Sequence, residues 1–96
     1  MSAPIELRTV AIANLRPDPD NARVHSERNI NAIAKSLSAF GQRKPIVIAG
    51  DTIVAGNGTV EAARRLGWTD IIAVDYPANR ITEARAYAIA DNRTGE

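Results

Sequence analysis

The sequence predicts an α+β fold, in which a mixed β-sheet containing a β-hairpin carries three main helices. Two observations support this fold class. Short runs rich in β-branched residues alternate with segments in which apolar residues recur at helical spacing. Two of the strand runs are separated only by Gly50 and Asp51, which is typical of a hairpin turn. Because 96 residues suffice for one core, we expect residues 1–96 to form a single domain.

The first predicted strand is an edge strand that runs from Glu6 to Leu15 and bends near Ala13 and Asn14. A turn segment follows at 16–21, because its two prolines exclude a helix. The loop then continues to residue 25.

The first helix is predicted between Ser26 as its N-cap and Gly41 as its C-cap. Its apolar residues are three and four apart, so they form one face for packing on the sheet. These residues are Ile30, Ile33, Ala34, Leu37 and Phe40.

The centre of the chain is a strand, a glycine turn and a short helix at 53–67. The segments 45–49 and 52–54 are the predicted strands of the hairpin. Gly56 and Gly58 follow them, and both can adopt positive φ or admit a close neighbour. The short helix places Val60, Ala63 and Leu66 on one side and ends at Gly67.

The sequence after Gly67 predicts one more strand and a last helix. The segment 71–74 is apolar on both faces, which is typical of an interior strand. A loop at 75–80 leads into a helix that has Thr82 as N-cap and runs to about Asp91.

The composition limits the possible functions. The absence of cysteine excludes thiol catalysis and thiolate metal sites. No apolar run approaches the roughly 20 residues that span a bilayer, so we expect a cytoplasmic protein without a membrane partner. Ten of the 12 cationic side chains are arginines, although the net charge is only +1. Arginine binds phosphate in a bidentate manner, so a local basic face is one interpretation and scattered solvated charges are the other.

The glycine turn Gly56-Asn57-Gly58-Thr59 directly precedes a helix. The unpaired N–H groups and the dipole at a helix N-terminus favour phosphate or another anion. A turn that needs glycine only for its geometry would have the same sequence, so both interpretations stay open.

Three blocks of sequence resemble motifs of one superfamily. They are Pro17–Ser26 (PDPDNARVHS), Gly41–Ile48 (GQRKPIVI) with Ile53–Thr59 (IVAGNGT), and Ile89–Arg93 (IADNR). They resemble the N-P-x-x-P-R box, the G-x-x-x-P-I and I-x-A-G-[EHN] motifs, and the D-N-R block of the ParB/sulfiredoxin superfamily. The chain most resembles the ParB-like N-terminal (ParB-like nuclease) domains linked to phage and bacterial DNA methyltransferases. The resemblance implies the compact ParB/sulfiredoxin-like fold.

The chain also departs from this pattern. Partition proteins carry G-E-R-R-x-R-A at the glycine turn, where this chain has GNGTVEA at 56–62. The arginines of the family's CTP-binding switch are therefore missing. Sulfiredoxins carry a catalytic Cys-His-Arg where this chain has Asn57-Gly58-Thr59, so their activity is excluded.

The resemblance implies a nucleotide-binding, DNA-associated accessory module, of the kind found in phages or mobile elements. Its phosphates would lie at Gly56, Asn57, Gly58 and Thr59, and the clamping cations would be Arg23, Arg43 and Lys44. Asp91 and Asn92 would hold the Mg²⁺ of a nucleoside triphosphate, either CTP or ATP. A solvated loop arginine and a fraying helix end are the alternative interpretations of Arg23 and of Asp91–Asn92.

Two other classes of function remain open. One is an enzyme of the same fold, either a ParB-like nuclease or a phosphotransferase. The other is a ligand-free adaptor that docks on a DNA methyltransferase or on a second copy of itself as a homodimer. DNA binding is expected to be weak or to require a partner, because the chain has no helix to read the major groove.

Overall fold

The computed structural model describes residues 5–19 and 25–95, with side chains described as far as residue 90. It contains a mixed five-stranded sheet with the strand order β1-β5-β3-β4-β2. The strands are β1 (Glu6–Ala11), β2 (Arg16–Pro17), β3 (Ile46–Ala49), β4 (Thr52–Ala55) and β5 (Asp70–Tyr76), and the helices are α1 (Glu27–Phe40), α2 (Asn57–Arg65) and α3 (Ile81–Gly95). The predicted α+β class, with a hairpin and three main helices, is confirmed.

Helices cover both faces of the sheet. On one face, α1 and α2 pack on a core that includes Ile48, Ile53 and Ile71. On the other face, Ala84 and Ala88 of α3 pack on a smaller cluster of strand residues. None of the helices in the described part of the chain is long and apolar enough to cross a bilayer.

The N-terminal strand is an edge strand, as predicted, and it pairs antiparallel with β5 alone. The predicted bend near Ala13 and Asn14 is a 3-10 turn at Ile12–Asn14. The prediction that Arg16 and Pro17 belong to a turn is wrong, because they form β2, parallel to β4 at the opposite edge of the sheet. Proline is tolerated there, since a residue without an N–H group fits a sheet edge.

Helix α1 has the predicted caps. The Ser26 hydroxyl accepts a hydrogen bond from the N–H of Asn29 at 3.1 Å, and Gly41 has a φ of 75°. Ile30 and Leu37 are buried, but the prediction that Phe40 extends the buried stripe is wrong, because its side chain is 70% exposed. Phe40 is the last helical residue, and its ring contacts the guanidinium of Arg43 instead.

Helix α2 buries Val60 and Ala63, as predicted. Leu66 was expected on the same buried side, but it is 39% exposed, because the helix ends at this residue and the chain turns away. Gly67, with a φ of 84°, donates to the Arg64 carbonyl, and the N–H of Trp68 donates to the Ala63 carbonyl. This pair of bonds is a Schellman motif, which confirms Gly67 as the residue that terminates the helix.

Two boundaries near the C-terminus differ from the predictions. Strand β5 is interior, as expected, but it extends from Asp70 to Tyr76 because β1 pairs with it along most of this length. Thr82 is not the N-cap of α3, because a 3-10 turn at Ala78–Arg80 leads directly into a helix that begins at Ile81. The helix also continues past Asp91 to Gly95.

We predict that Leu37→Ala lowers the free energy of unfolding by about 2–5 kcal/mol, because it leaves a cavity in the core. Leu66→Ala is the matched control, since Leu37 is 6% exposed and Leu66 is 39% exposed. The control should cost less than about 1 kcal/mol. Urea denaturation of both variants measures the difference, and equal costs would mean that α1 does not pack on the sheet through Leu37.

Candidate functional site

The candidate site lies where β4 ends and α2 begins. Gly56 is the N-cap of α2 and has a φ of 106°, a backbone conformation that residues with a side chain rarely adopt. A Cβ atom at Gly56 would lie 2.5 Å from Cγ2 of Ile46, a buried residue of β3. The turn therefore requires glycine here for two separate reasons, backbone conformation and the absence of space.

The N-terminus of α2 presents backbone N–H groups without side-chain caps. The first intrahelical bond runs from the N–H of Val60 to the Gly56 carbonyl at 2.9 Å, so the N–H groups of Asn57, Gly58 and Thr59 have no acceptor within the helix. Gly56 supplies no side-chain cap, and no acidic residue lies in the first turn. This arrangement favours an anion.

Gly58 differs from the prediction. It was expected to allow positive φ or the approach of a ligand, but it is a buried residue of α2 and is not among the glycines with positive φ. A Cβ atom at this position would lie 3.0 Å from Cε1 of His25 and 3.0 Å from Cδ1 of Ile33. The space above Gly58 is therefore occupied by side chains of the protein.

His25 lies against the turn, a position that was not predicted from the sequence. The Nδ1 atom of His25 lies 2.8 Å from the side-chain nitrogen of Asn29. The donor and acceptor roles in this contact depend on the tautomer of the ring. The signal in the sequence was that this is the chain's one histidine, four residues before an asparagine and just ahead of a helix.

A cavity of about 290 Å³ opens beside this turn. Its lining combines apolar side chains with polar ones, namely Pro17, Ile30, Ile53 and Val60 with His25, Asn57, Glu61 and Arg64. An apolar wall with a few polar groups is typical of a small-molecule site.

The charged side chains of α2 are largely neutralised by one another. Glu61 accepts hydrogen bonds from Arg64 at 3.1 Å and from Arg65 at 3.2 Å. Arg65 also donates two bonds to Glu27 of α1, at 2.6 and 2.8 Å. The hydrogen bond from Arg65 lowers the pKa of Glu27, and the bonds to Glu27 and then Glu61 raise the pKa of Arg65, so the Glu27–Arg65 pair stays ionised.

A buried ion pair holds the chain beside the cavity. Asp18 directly follows β2 and is 1% exposed, and its N–H donates to the Ile53 carbonyl. Arg85 of α3 donates to both carboxylate oxygens of Asp18, at 2.9 and 3.0 Å. Burial makes such a pair costly to break, because removing one partner leaves an unpaired charge. The sequence gives no spacing that connects residues 67 positions apart, so this contact was not predicted.

The other predicted site residues are not joined to the turn by the described contacts. The Arg43 guanidinium lies over the Phe40 ring at 5.9 Å, and the backbone carbonyl of Lys44 accepts a hydrogen bond from Gln42. Neither cation lines the cavity. Arg23 lies outside the described residues, and the side chains of Asp91 and Asn92 lie outside the described side chains. The roles of these five residues stay predictions.

Comparison with known proteins identifies the family. The chain is 33% identical over 67 residues to the ParB-like nuclease domain-containing protein YnaK of Escherichia coli K12, and the match covers 69% of this chain and 77% of YnaK. The chain therefore belongs to the ParB-like nuclease domain family. No protein-family model matches it.

Solved structures share the fold at lower identity. Caulobacter crescentus ParB, C-terminally truncated and complexed with CTP-gamma-S, has a TM-score of 0.74 and 24% identity, covering 91% of this chain but 52% of that one. A Pnob8-like ParB-N domain has a TM-score of 0.72 at 20% identity, covering 96% of this chain and 38% of that one. Arabidopsis thaliana sulfiredoxin has a TM-score of 0.66 at 15% identity, covering 82% and 96%. The ParB/sulfiredoxin-like fold is confirmed. The chain spans about half the length of the Caulobacter protein and less than half the length of the Pnob8-like one.

We predict that Gly56→Ala is more destabilising than Gly67→Ala. Both glycines have positive φ, but nothing lies within 4 Å of a Cβ atom at Gly67. The control should cost only the left-handed conformation, about 1–2 kcal/mol. Gly56→Ala adds the overlap with Ile46, about 1–3 kcal/mol more. Thermal or urea unfolding measures both, and a cost for Gly56→Ala no larger than the control's would contradict the close contact with Ile46.

Proposed function

We propose that this protein is a nucleotide-binding, DNA-associated module whose phosphate site is the Gly56-Asn57-Gly58-Thr59 turn. The observation that carries the proposal is the geometry of α2, whose first N–H groups have no cap and no acidic neighbour in the first turn. The adjoining cavity has a volume of about 290 Å³, which is close to the lower end of the range for small-molecule sites. The nucleoside would occupy this cavity beside the phosphates.

The family relationship supports the same proposal. A structural neighbour, Caulobacter ParB, was solved with CTP-gamma-S, and the same protein was also solved with the centromeric parS site. We propose CTP or ATP as the ligand of this chain, with Mg²⁺ neutralising the phosphates.

Arg23 is the proposed clamp of the phosphates. The support for this role is its place in the sequence, two residues before His25, whose ring packs on Gly58. Arg43 and Lys44 remain secondary candidates. Asp91 and Asn92 are the proposed ligands of Mg²⁺, since both lie on α3 about two turns beyond Arg85, the residue that holds Asp18.

An enzyme of this fold is the second candidate function. The specific observation in its favour is the relationship to YnaK, which is named for a ParB-like nuclease domain. His25 would then be the group to test, because its ring lines the cavity. A third candidate is a ligand-free adaptor for a DNA methyltransferase.

The proposal predicts that CTP or ATP with Mg²⁺ binds with micromolar affinity, about −8 kcal/mol. Isothermal titration calorimetry with both nucleotides, with and without Mg²⁺, measures this affinity. Arg23→Ala should weaken binding by about 1.5–3 kcal/mol, because a charge-assisted bond to phosphate is lost.

Arg28→Ala is the matched control for this experiment. Arg28 lies on the exposed face of α1 and lines a different groove, so its loss should leave the affinity unchanged. Equal binding by wild type and Arg23→Ala, with both proteins folded, would contradict the role of Arg23. Absence of binding to either nucleotide would contradict the proposed function and favour the adaptor.

DNA binding by the isolated chain is predicted to be weak and insensitive to sequence. The net charge of +1 gives little electrostatic attraction to phosphate, and this attraction falls steeply with salt. Fluorescence anisotropy with labelled duplexes at rising salt measures it. Tight, sequence-selective binding that persists at about 200 mM salt would contradict this prediction.

A further inference from the structure

The outer edge of β1 is the longest unpaired strand edge in the described part of the chain. β1 has six residues and pairs only with β5. Such an edge carries backbone N–H and C=O groups that can pair with another extended chain, so natural edges are often very short or interrupted by proline or a bulge. The opposite edge, β2, has two residues, one of them Pro17. β1 has none of these protective features, since its register with β5 is continuous from Glu6 to Ala11.

Hydrogen bonds around β5 show how its backbone groups are oriented. The N–H and C=O groups of Ile72 both bond the side chain of Gln42 at 2.8 Å, so they point away from β1. On the β1 side, the N–H of Ile12 donates to the Thr69 carbonyl at 3.0 Å. Because hydrogen-bonded and non-hydrogen-bonded residues alternate along an antiparallel pair, the odd-numbered residues of β5 bond to β1 and the even-numbered ones do not.

The same alternation leaves the backbone groups of Leu7 and Thr9 facing outward. Leu7 is opposite Val74 and Thr9 is opposite Ile72, so neither residue forms hydrogen bonds with β5. Their N–H and C=O groups point away from the sheet, and none of the described residues bonds to them. A strand laid beside β1 would therefore meet donors and acceptors at the two-residue repeat of an extended chain.

The side chains of this edge are also suited to an extended partner. Leu7 is 67% exposed and Ile5 is 41% exposed. They are two residues apart, so they lie on the same side of the sheet, which is the side on which Val74 packs with α3. Apolar residues at alternate positions of an added strand would lie opposite these two side chains and cover them.

The charges on the other side of β1 indicate a basic residue in the partner. Glu6 is exposed, and the ion pairs of the described residues leave it without a cation. A lysine or arginine opposite Glu6 would supply the missing charge. A second copy of the chain fits less well, because Arg8, which would face Glu6 in an antiparallel pair of β1 strands, is already bound to Asp75 at 3.2 Å.

We infer that the outer edge of β1 is a docking site for an extended peptide of a partner protein, which adds one strand to the five-stranded sheet. The peptide has apolar residues at alternate positions and a lysine or arginine between them. Backbone bonds to Leu7 and Thr9 provide affinity, and contacts with Ile5, Leu7 and Glu6 select the side chains. β5 and β3 separate this edge from β4 and the glycine turn, so the site is independent of the proposed nucleotide site.

Native-state hydrogen exchange of the free chain, followed by nuclear magnetic resonance, tests the geometry of the edge. The amides of Leu7 and Thr9 should exchange at least about tenfold faster than those of Arg8 and Val10, which donate to β5. Equal protection of all four amides would overturn the inference, because it would mean that the edge is already covered, by a second copy or by another segment, or that the groups do not alternate as assigned.

The probe for binding is the synthetic peptide acetyl-Thr-Val-Lys-Val-Thr-Val-amide, in which valines alternate with polar residues. It should shift and protect the amides of Leu7 and Thr9 in the ¹⁵N-labelled chain, with a dissociation constant between about 1 µM and 1 mM. A peptide of the same composition with its three valines consecutive is the matched control, and it should bind at least about tenfold more weakly. Absence of binding, shifts confined to other residues, or equal binding of the two peptides would overturn the inference.

Substitutions in β1 separate docking from folding. Thr9→Pro removes an N–H group that points outward, so it should abolish peptide binding and leave the chain folded. Val10→Pro removes a bond to β5 and should lower the thermal midpoint much more. Glu6→Lys leaves the backbone intact and should weaken peptide binding about threefold, through like-charge contact with the lysine of the peptide. Equal destabilisation by the two prolines, or undiminished binding by Thr9→Pro and Glu6→Lys, would overturn the inference.

Discussion

The close packing of Gly56 against Ile46 determines where the functional end of this molecule lies. The left-handed conformation of Gly56 ends β4 and starts α2 within one residue, and Ile46 of the neighbouring strand leaves no space for a side chain there. Because Ile46 is buried in the core, the direction of α2 is set by the sheet itself. The N–H groups of Asn57, Gly58 and Thr59 therefore have a fixed orientation before any ligand binds, which reduces the cost of ordering a binding site.

The preference of this site for an anion comes from the backbone more than from the arginines. Arg64 and Arg65 are close to the turn in sequence, but Glu61 and Glu27 accept their hydrogen bonds. The Asp18–Arg85 pair is likewise internal and holds β2 against α3. What these pairs provide is a rigid frame around the cavity. A nucleotide would then meet the dipole of α2 and the imidazole ring of His25, with Arg23 as the proposed additional charge.

Much of the fold could be predicted from the sequence, because it depends on local signals. Ser26 and Gly41 defined α1, the Gly50–Asp51 pair defined the hairpin, and Gly67 ended α2, since caps and turns depend on residues only a few positions apart. The errors arose where distant parts of the chain decide the structure. Arg16 and Pro17 form a strand only because β4 lies beside them, and Phe40, the last residue of α1, is exposed although its spacing continues the apolar stripe.

The candidate site could be predicted only in part, for the same reason. A glycine turn before a helix can be recognised in the sequence, and the need for glycine at position 56 follows from its φ. The role of position 58 could not be recognised, because it depends on the His25 ring and on Ile33, which approach it through the tertiary fold. The buried contact between Asp18 and Arg85 was inaccessible to sequence reasoning for the same reason.

The most direct test of the central claim is a nuclear magnetic resonance titration of ¹⁵N-labelled protein with CTP or ATP and Mg²⁺. If the phosphates bind at the N-terminus of α2, the backbone amides of Asn57, Gly58 and Thr59 should show the largest chemical-shift changes, because hydrogen bonding to phosphate acts directly on these N–H groups. Changes confined to other parts of the chain, with these three amides unaffected at saturation, would contradict the account.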